Sequence, residues 1–149
     1  MLKQLLTFLL IVLALCSCER AQPASISNKE VIVKSASNLT DNSTIEKAFA
    51  NKKSDVQVSG SGVVIKLLAD DNQGARHQKF LVKINAQQTL LVAHNIDLAP
   101  RIPVQVNDNI SFSGEYVYNP KGGIVHWTHH DPDVNHPAGW IALHEQIYE

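Results

Sequence analysis

Val56-Gln57-Val58-Ser59-Gly60-Ser61-Gly62-Val63-Val64-Ile65-Lys66-Leu67-Leu68 is the stretch on which the fold turns. It reads as one long strand, and the two glycines inside it mark a bulge or a sharp coil. A strand bent in this way is typical of small barrels. Asp70-Asp71-Asn72-Gln73-Gly74 follows as a turn by composition. Phe80, Val82 and Ile84 then alternate on a second strand, and Leu90, Val92 and His94 on a third. On a fourth, Ile110, Phe112, Gly114, Tyr116 and Tyr118 share one face, while Ser111, Ser113 and Glu115 share the other. Asn119-Pro120-Lys121-Gly122-Gly123 makes the hairpin into a fifth strand, Ile124 to Thr128, and Gly139 to Tyr148 adds a final short strand or hairpin. The pattern predicts a mainly β fold, a small antiparallel OB-like barrel of about five strands, with a β-sandwich as the alternative.

Upstream of the barrel, Ser43-Thr44-Ile45-Glu46 has the form of a capping box, and Ile45, Ala48 and Phe49 fall on one helical face. A short helix over about 44–52 is therefore expected, ended by Lys52, Lys53 and Ser54. From Glu19 to about Asn42 the residues are mostly Ser, Ala, Asn, Gln and Thr with no sustained apolar period, the texture of a tether. Lys3 and the apolar run Leu5 to Leu15, broken only by Thr7, have the charge and length of a signal peptide and are too short to span a bilayer. Leu15-Cys16-Ser17-Cys18 resembles a lipobox. Bulky Leu15 directly before Cys16 makes that residue the poorer acceptor, so lipidation is expected at Cys18. The division read from the sequence is thus a lipoprotein signal peptide at 1–17, a flexible tether at 18–42 and a β-barrel domain at 43–149. Glu19 in place of Asp after the acylated cysteine favours the periplasmic face of the outer membrane.

The 149 residues carry 13 Lys or Arg against 14 Asp or Glu, and 44% are hydrophobic. That balance fits one soluble globular domain and excludes a large multidomain enzyme. It also argues against a nucleic-acid partner, because phosphate binding needs clustered basic residues. Residues 55–149 are locally acidic, with 10 Asp or Glu against 6 Lys or Arg. Acylation of Cys18 and loss of Cys16 with the signal would leave no thiol for a disulfide, a metal or a nucleophile.

All seven histidines lie after residue 76. Asp70-Asp71-Asn72 and Arg76-His77-Gln78 face each other across one turn, which reads first as an Asx-capped hairpin. His94-Asn95-Ile96-Asp97 leaves a strand and runs into Leu98-Ala99-Pro100-Arg101 with more polar side chains than a connection needs. Glu115 lies on the less apolar face of its strand. The densest stretch is His126-Trp127-Thr128-His129-His130-Asp131-Pro132. Imidazoles and a carboxylate are ligands that zinc takes, and His94, His126, His129 and Asp97 are the candidate metal set. On a continuous strand, however, His126 and His130 would lie roughly 13 Å apart, so a metal could use this run only if the chain turns near Thr128. No HExxH, CxxC, Gly-x-Ser-x-Gly or P-loop pattern is present.

Ala69-Asp70-Asp71, Arg76-His77-Gln78, the run Ala93 to Arg101, Gly114-Glu115-Tyr116, Asn119 to Gly123 and His126 to Pro132 together resemble the uncharacterised bacterial domain-of-unknown-function family 3465, over about residues 56–148. The resemblance implies a small exported bacterial protein and supplies no mechanism. Two functions are carried forward. The favoured one is a lipid-tethered binding module for a small ligand, a glycan or a protein, using Arg76, His77, His94, Asn95, Asp97, Arg101, Glu115, His126, Trp127, His129, His130 and Asp131. The alternative is a metal-assisted hydrolase, with a divalent metal such as zinc held by the same histidines and carboxylates. If the fourth strand reverses between the third and the fifth, those two run in one sense, and His94 and His129 should open on one rim.

Overall fold

The computed structural model describes residues 41–149. The expected signal peptide, Cys18 and the tether up to residue 40 lie outside the described residues. A short helix, α1 (Ser43–Ala50), precedes seven strands: β1 (Val56–Leu67), β2 (His77–Lys83), β3 (Thr89–Asn95), β4 (Asn109–Val117), β5 (Ile124–His126), β6 (Trp140–Leu143) and β7 (Gln146–Tyr148). Five of them close into a barrel in the order β1-β2-β3-β5-β4, completed by pairing of β4 with β1. Every barrel contact is antiparallel except β3 with β5, which is parallel. The β6–β7 hairpin extends the sheet beyond β4.

The long first strand closes the barrel by serving two partners. Its first half, Val56 to Val63, pairs with β4, and its second half, Val63 to Leu67, pairs with β2. The register irregularity expected at the glycines lies instead between Val64 and Lys66. Gly60 and Gly62 are needed for close approach. A Cβ at Gly60 would stand 2.6 Å from Ile45 Cδ1, and one at Gly62 would stand 2.5 Å from the Lys83 carbonyl. The helix and the β2 turn can therefore lie directly against the bent strand.

Alternation sets the core as expected. Phe80, Val82, Leu90, Val92, Phe112, Tyr116 and Val125 point inward and are fully buried, with Ile45 of α1 closing one end. The capping box does not form. Ser43 N–H and Oγ–H donate to Asp41 instead, at 2.9 and 2.8 Å, and the Glu46 carboxylate accepts from Asn85 Nδ2 at 2.6 Å. Asn42, at the N-cap position, turns its amide to the barrel. It donates to the carbonyls of Ser61 and Ile84 and accepts from Ser61 N–H at 3.0 Å. Contacts to the sheet thus take the side chains that a lone helix would use to cap itself.

Candidate functional site

Three strands bring the polar motifs to one rim. β3 and β5 are parallel and both end there, and β2 begins there, since His77 pairs with Asn95 and Ile96 N–H donates to the Arg76 carbonyl. His94, the last inward-facing residue of β3, is fully buried. Its Nε2 lies 3.2 Å from the Pro100 carbonyl and its Nδ1 2.9 Å from Thr128 Oγ1. A carbonyl can only accept, so Nε2 carries the proton and Nδ1 accepts from the threonine hydroxyl. Burial pushes the His94 pKa down to about 4, although the bond to Pro100 favours the charged ring. His94 is thus a neutral pin joining the end of β3 to the segment that follows β5.

Strand β5 ends at His126, earlier than expected, because Trp127 adopts φ 51°. A bulky residue in the left-handed region is strained and persists only where its surroundings fix it. Here the indole stacks on two imidazoles, with ring centres 4.9 Å from His126 and 4.2 Å from His136. The His129 ring meets His136 edge-on at 5.3 Å. Each of these two histidines donates its Nδ1–H to a carbonyl, His129 to His130 at 2.8 Å and His136 to Pro137 at 2.9 Å. Asp131 organises the loop below them by accepting the backbone N–H groups of Asp133, Asn135 and His136. Burial raises the Asp131 pKa, but the three amide donors outweigh it and hold the carboxyl below its ordinary value. Asp131→Ala should leave those amides without an acceptor, and amide exchange at Asp133, Asn135 and His136 should accelerate while strand amides stay protected.

The remaining expected site residues are distributed around this rim. Asp97 accepts from the backbone N–H and the Nε of Arg76 at 2.7 and 2.6 Å, and these bonds keep its carboxyl below the usual range. Arg101 pairs with Asp70. Asn95 accepts from Asp97 N–H at 2.9 Å. Glu115 and His126 face each other across β4 and β5 on the outside of the barrel, 3.1 Å apart. Glu115 is thus a partnered, largely covered group. His77 is half-buried and His130 is exposed. Among the described residues no group of three His, Cys, Asp or Glu side chains converges in a way that could hold a metal ion. No buried side-chain nitrogen or oxygen among them lacks a hydrogen-bond partner. The rim is therefore a self-satisfied polar lock: His129 is buried, His136 Nε2 lies 3.9 Å from the Asp131 carboxylate, and the exposed polar groups are the outer guanidinium nitrogens of the two arginines.

A concave site lies elsewhere, on the outer face of β1, β2, β3 and β5. Ile65, Leu68, Leu81, Leu91 and Ile124 wall a groove of about 400 Å³. Thr89, Asn119 and Lys121 line it at the end away from the histidines. That end is rigid. The Gly123 carbonyl accepts from Leu91 N–H at 3.0 Å, and the Gly122 carbonyl accepts from Gln88 Nε2 at 2.7 Å. The outer face of β1 and β4 is different in kind, carrying Gln57, Ser59 and Ser113 in a hydrogen-bonded ladder. Sequence reasoning missed the groove because Val63 to Leu68, Phe80 to Val82 and Leu90 to Val92 read as core strands. The available signal was broken alternation: an antiparallel strand with one wet face should alternate cleanly, and these runs, Lys66 apart, are apolar on both faces.

No curated protein matches the chain. The family described as "Protein of unknown function (DUF3465)" matches residues 30–149, a span that takes in every element from α1 to β7 and begins within the stretch read as tether. The motifs at 69–71, 76–78, 93–101, 114–116, 119–123 and 126–132 all fall inside it. With that span matched, the chain belongs to the DUF3465 family.

Proposed function

We propose that the barrel is a ligand-binding module and that its ligand is a small apolar molecule held in the outer groove. The observation that carries this reading is the groove itself. Its volume of about 400 Å³ lies within the roughly 300–1,000 Å³ of small-molecule sites, and its walls are aliphatic on a sheet face that would otherwise meet water. Ile65, one of those walls, is 40% exposed, which is costly for a face with no partner. The polar rim supports the reading from behind, since it fixes the ends of β3 and β5 that form two of the walls.

A neutral fluorescent probe such as N-phenyl-1-naphthylamine should bind saturably, one per chain. Leu91→Glu, which places a charge on the groove floor, should weaken that binding at least tenfold while leaving the melting temperature near that of the parent. Probe binding that never saturates, or that Leu91→Glu leaves intact, would end this reading.

The lipobox pattern at Leu15 to Cys18 supports display of the module from a membrane by an acylated Cys18, on the periplasmic face of the outer membrane. Cys18→Ala should release or mislocalise the protein, and its N-terminus should carry no acyl mass.

A further inference from the structure

The groove lies in an unusual electrostatic setting. Between residues 55 and 149 the chain has only four lysines, Lys66, Lys79, Lys83 and Lys121, and all four surround it. Lys121 lines the groove directly. Lys83 is the cross-strand partner of the lining residue Thr89, and Lys66 is that of the lining residue Leu81. Lys79 and Lys83 flank Leu81 on the same face of β2, because Phe80 and Val82 between them point inward. The two arginines of the same span are both in ion pairs, with Asp97 and Asp70. Among the described residues none of these lysines has an ion-pair partner, and none of the ten Asp or Glu of this span lines the groove. Four of the seven lysines between residues 41 and 149 thus lie around the apolar groove, and the other three, Lys47, Lys52 and Lys53, belong to α1 and the turn after it.

Resting on the reading that the groove binds an apolar ligand, we propose that this ligand is an anionic amphiphile, a single acyl chain bearing a carboxylate. The chain lies along Leu81, Leu91 and Ile124. The head sits at the end formed by Thr89 and Asn119, where Lys83 and Lys121 supply positive charge. Aliphatic walls discriminate by length, and the lysines discriminate by charge. Neither a neutral hydrocarbon nor a free small anion would use both. The ring of cations also attracts such a ligand from a distance against the net negative charge of the barrel.

The test uses the full-length chain carrying Cys18→Ala, purified without detergent, with displacement of the neutral probe as the readout. Decanoate, dodecanoate and tetradecanoate are titrated as monomers beside dodecanol. Affinity should rise about tenfold for each added pair of methylenes, and dodecanoate should bind at least tenfold more tightly than dodecanol. The double variant Lys83→Gln/Lys121→Gln should bring that ratio close to one without weakening dodecanol, and Lys83→Arg/Lys121→Arg should restore it. Equal binding of dodecanoate and dodecanol would overturn the anionic head while leaving the apolar groove standing. A charge preference unmoved by the double variant would overturn the placement of the head. Co-sedimentation with phosphatidylglycerol vesicles without displacement by dodecanoate would overturn the proposal in favour of a membrane-facing patch. If neither the probe nor any amphiphile binds, the binding reading falls with it.

Discussion

Between pH 6.5 and pH 4 the domain should lose about 3 kcal/mol of stability through His94 alone. The native ring has its pKa near 4 because it is buried, against 6.5 for the free side chain. In that window the unfolded chain takes up a proton that the native state refuses, so acidification favours unfolding. Above pH 6.5 both states hold a neutral ring and the effect is absent; below pH 4 both are protonated and the loss is complete. His94→Gln retains a hydrogen-bonding side chain but cannot titrate. Its stability should be lower at neutral pH, and its profile should be flatter by the stated amount over the same window. Urea denaturation at a series of pH values measures both curves. Parallel profiles for parent and variant would show that His94 is not held neutral.

Gly123→Ala should be severely destabilising. Gly123 has φ 109°, and a Cβ there would stand 2.1 Å from the ring of Tyr116, which is itself fully buried. Backbone strain and overpacking together should cost roughly 3–5 kcal/mol, lowering the melting temperature by more than about 12 °C for a domain of this size. Gly74→Ala is the matched control. It too has a left-handed φ, 76°, but its Cβ would meet nothing within 4 Å, so the cost should be only about 1 kcal/mol. Similar losses for the two variants would mean that conformational strain, and not the Tyr116 contact, decides the effect at Gly123.

Much of the barrel was legible because its information is periodic. Ile110, Phe112 and Tyr116 announce an inward face whatever surrounds them, and Phe80 with Val82 and Leu90 with Val92 do the same. The parallel course of β3 and β5 followed from counting reversals, and it places His94 and the His129 segment at one end. What was not legible depends on partners distant in sequence. The Ser43–Glu46 pattern promised a capping box, but Asp41 and the barrel residue Asn85 compete for the same groups and win. Nothing local to His94 shows that Thr128 and the Pro100 carbonyl will occupy both its nitrogens. The polar motifs therefore suggested side chains open on one rim for a ligand, while the folded rim spends most of their donors and acceptors internally. Ile65, Leu81 and Leu91 present the reverse case. Their hydrophobicity suited a core, and only the register of their strands shows that they face outward together.

The double pairing of β1 has a kinetic consequence. The β2–β3 hairpin joins residues close in sequence, such as Lys83 with Thr89, and can form as soon as that segment exists. Closure of the barrel must wait for Val56 to find Tyr116 and Val63 to find Asn109. Contacts of such long sequence separation lose much chain entropy before they return any stabilisation, which places folding on the order of milliseconds to seconds. Until β4 arrives, the first half of β1 has an open edge of unpaired amides. In that interval the chain is exposed to strand exchange with another copy of itself.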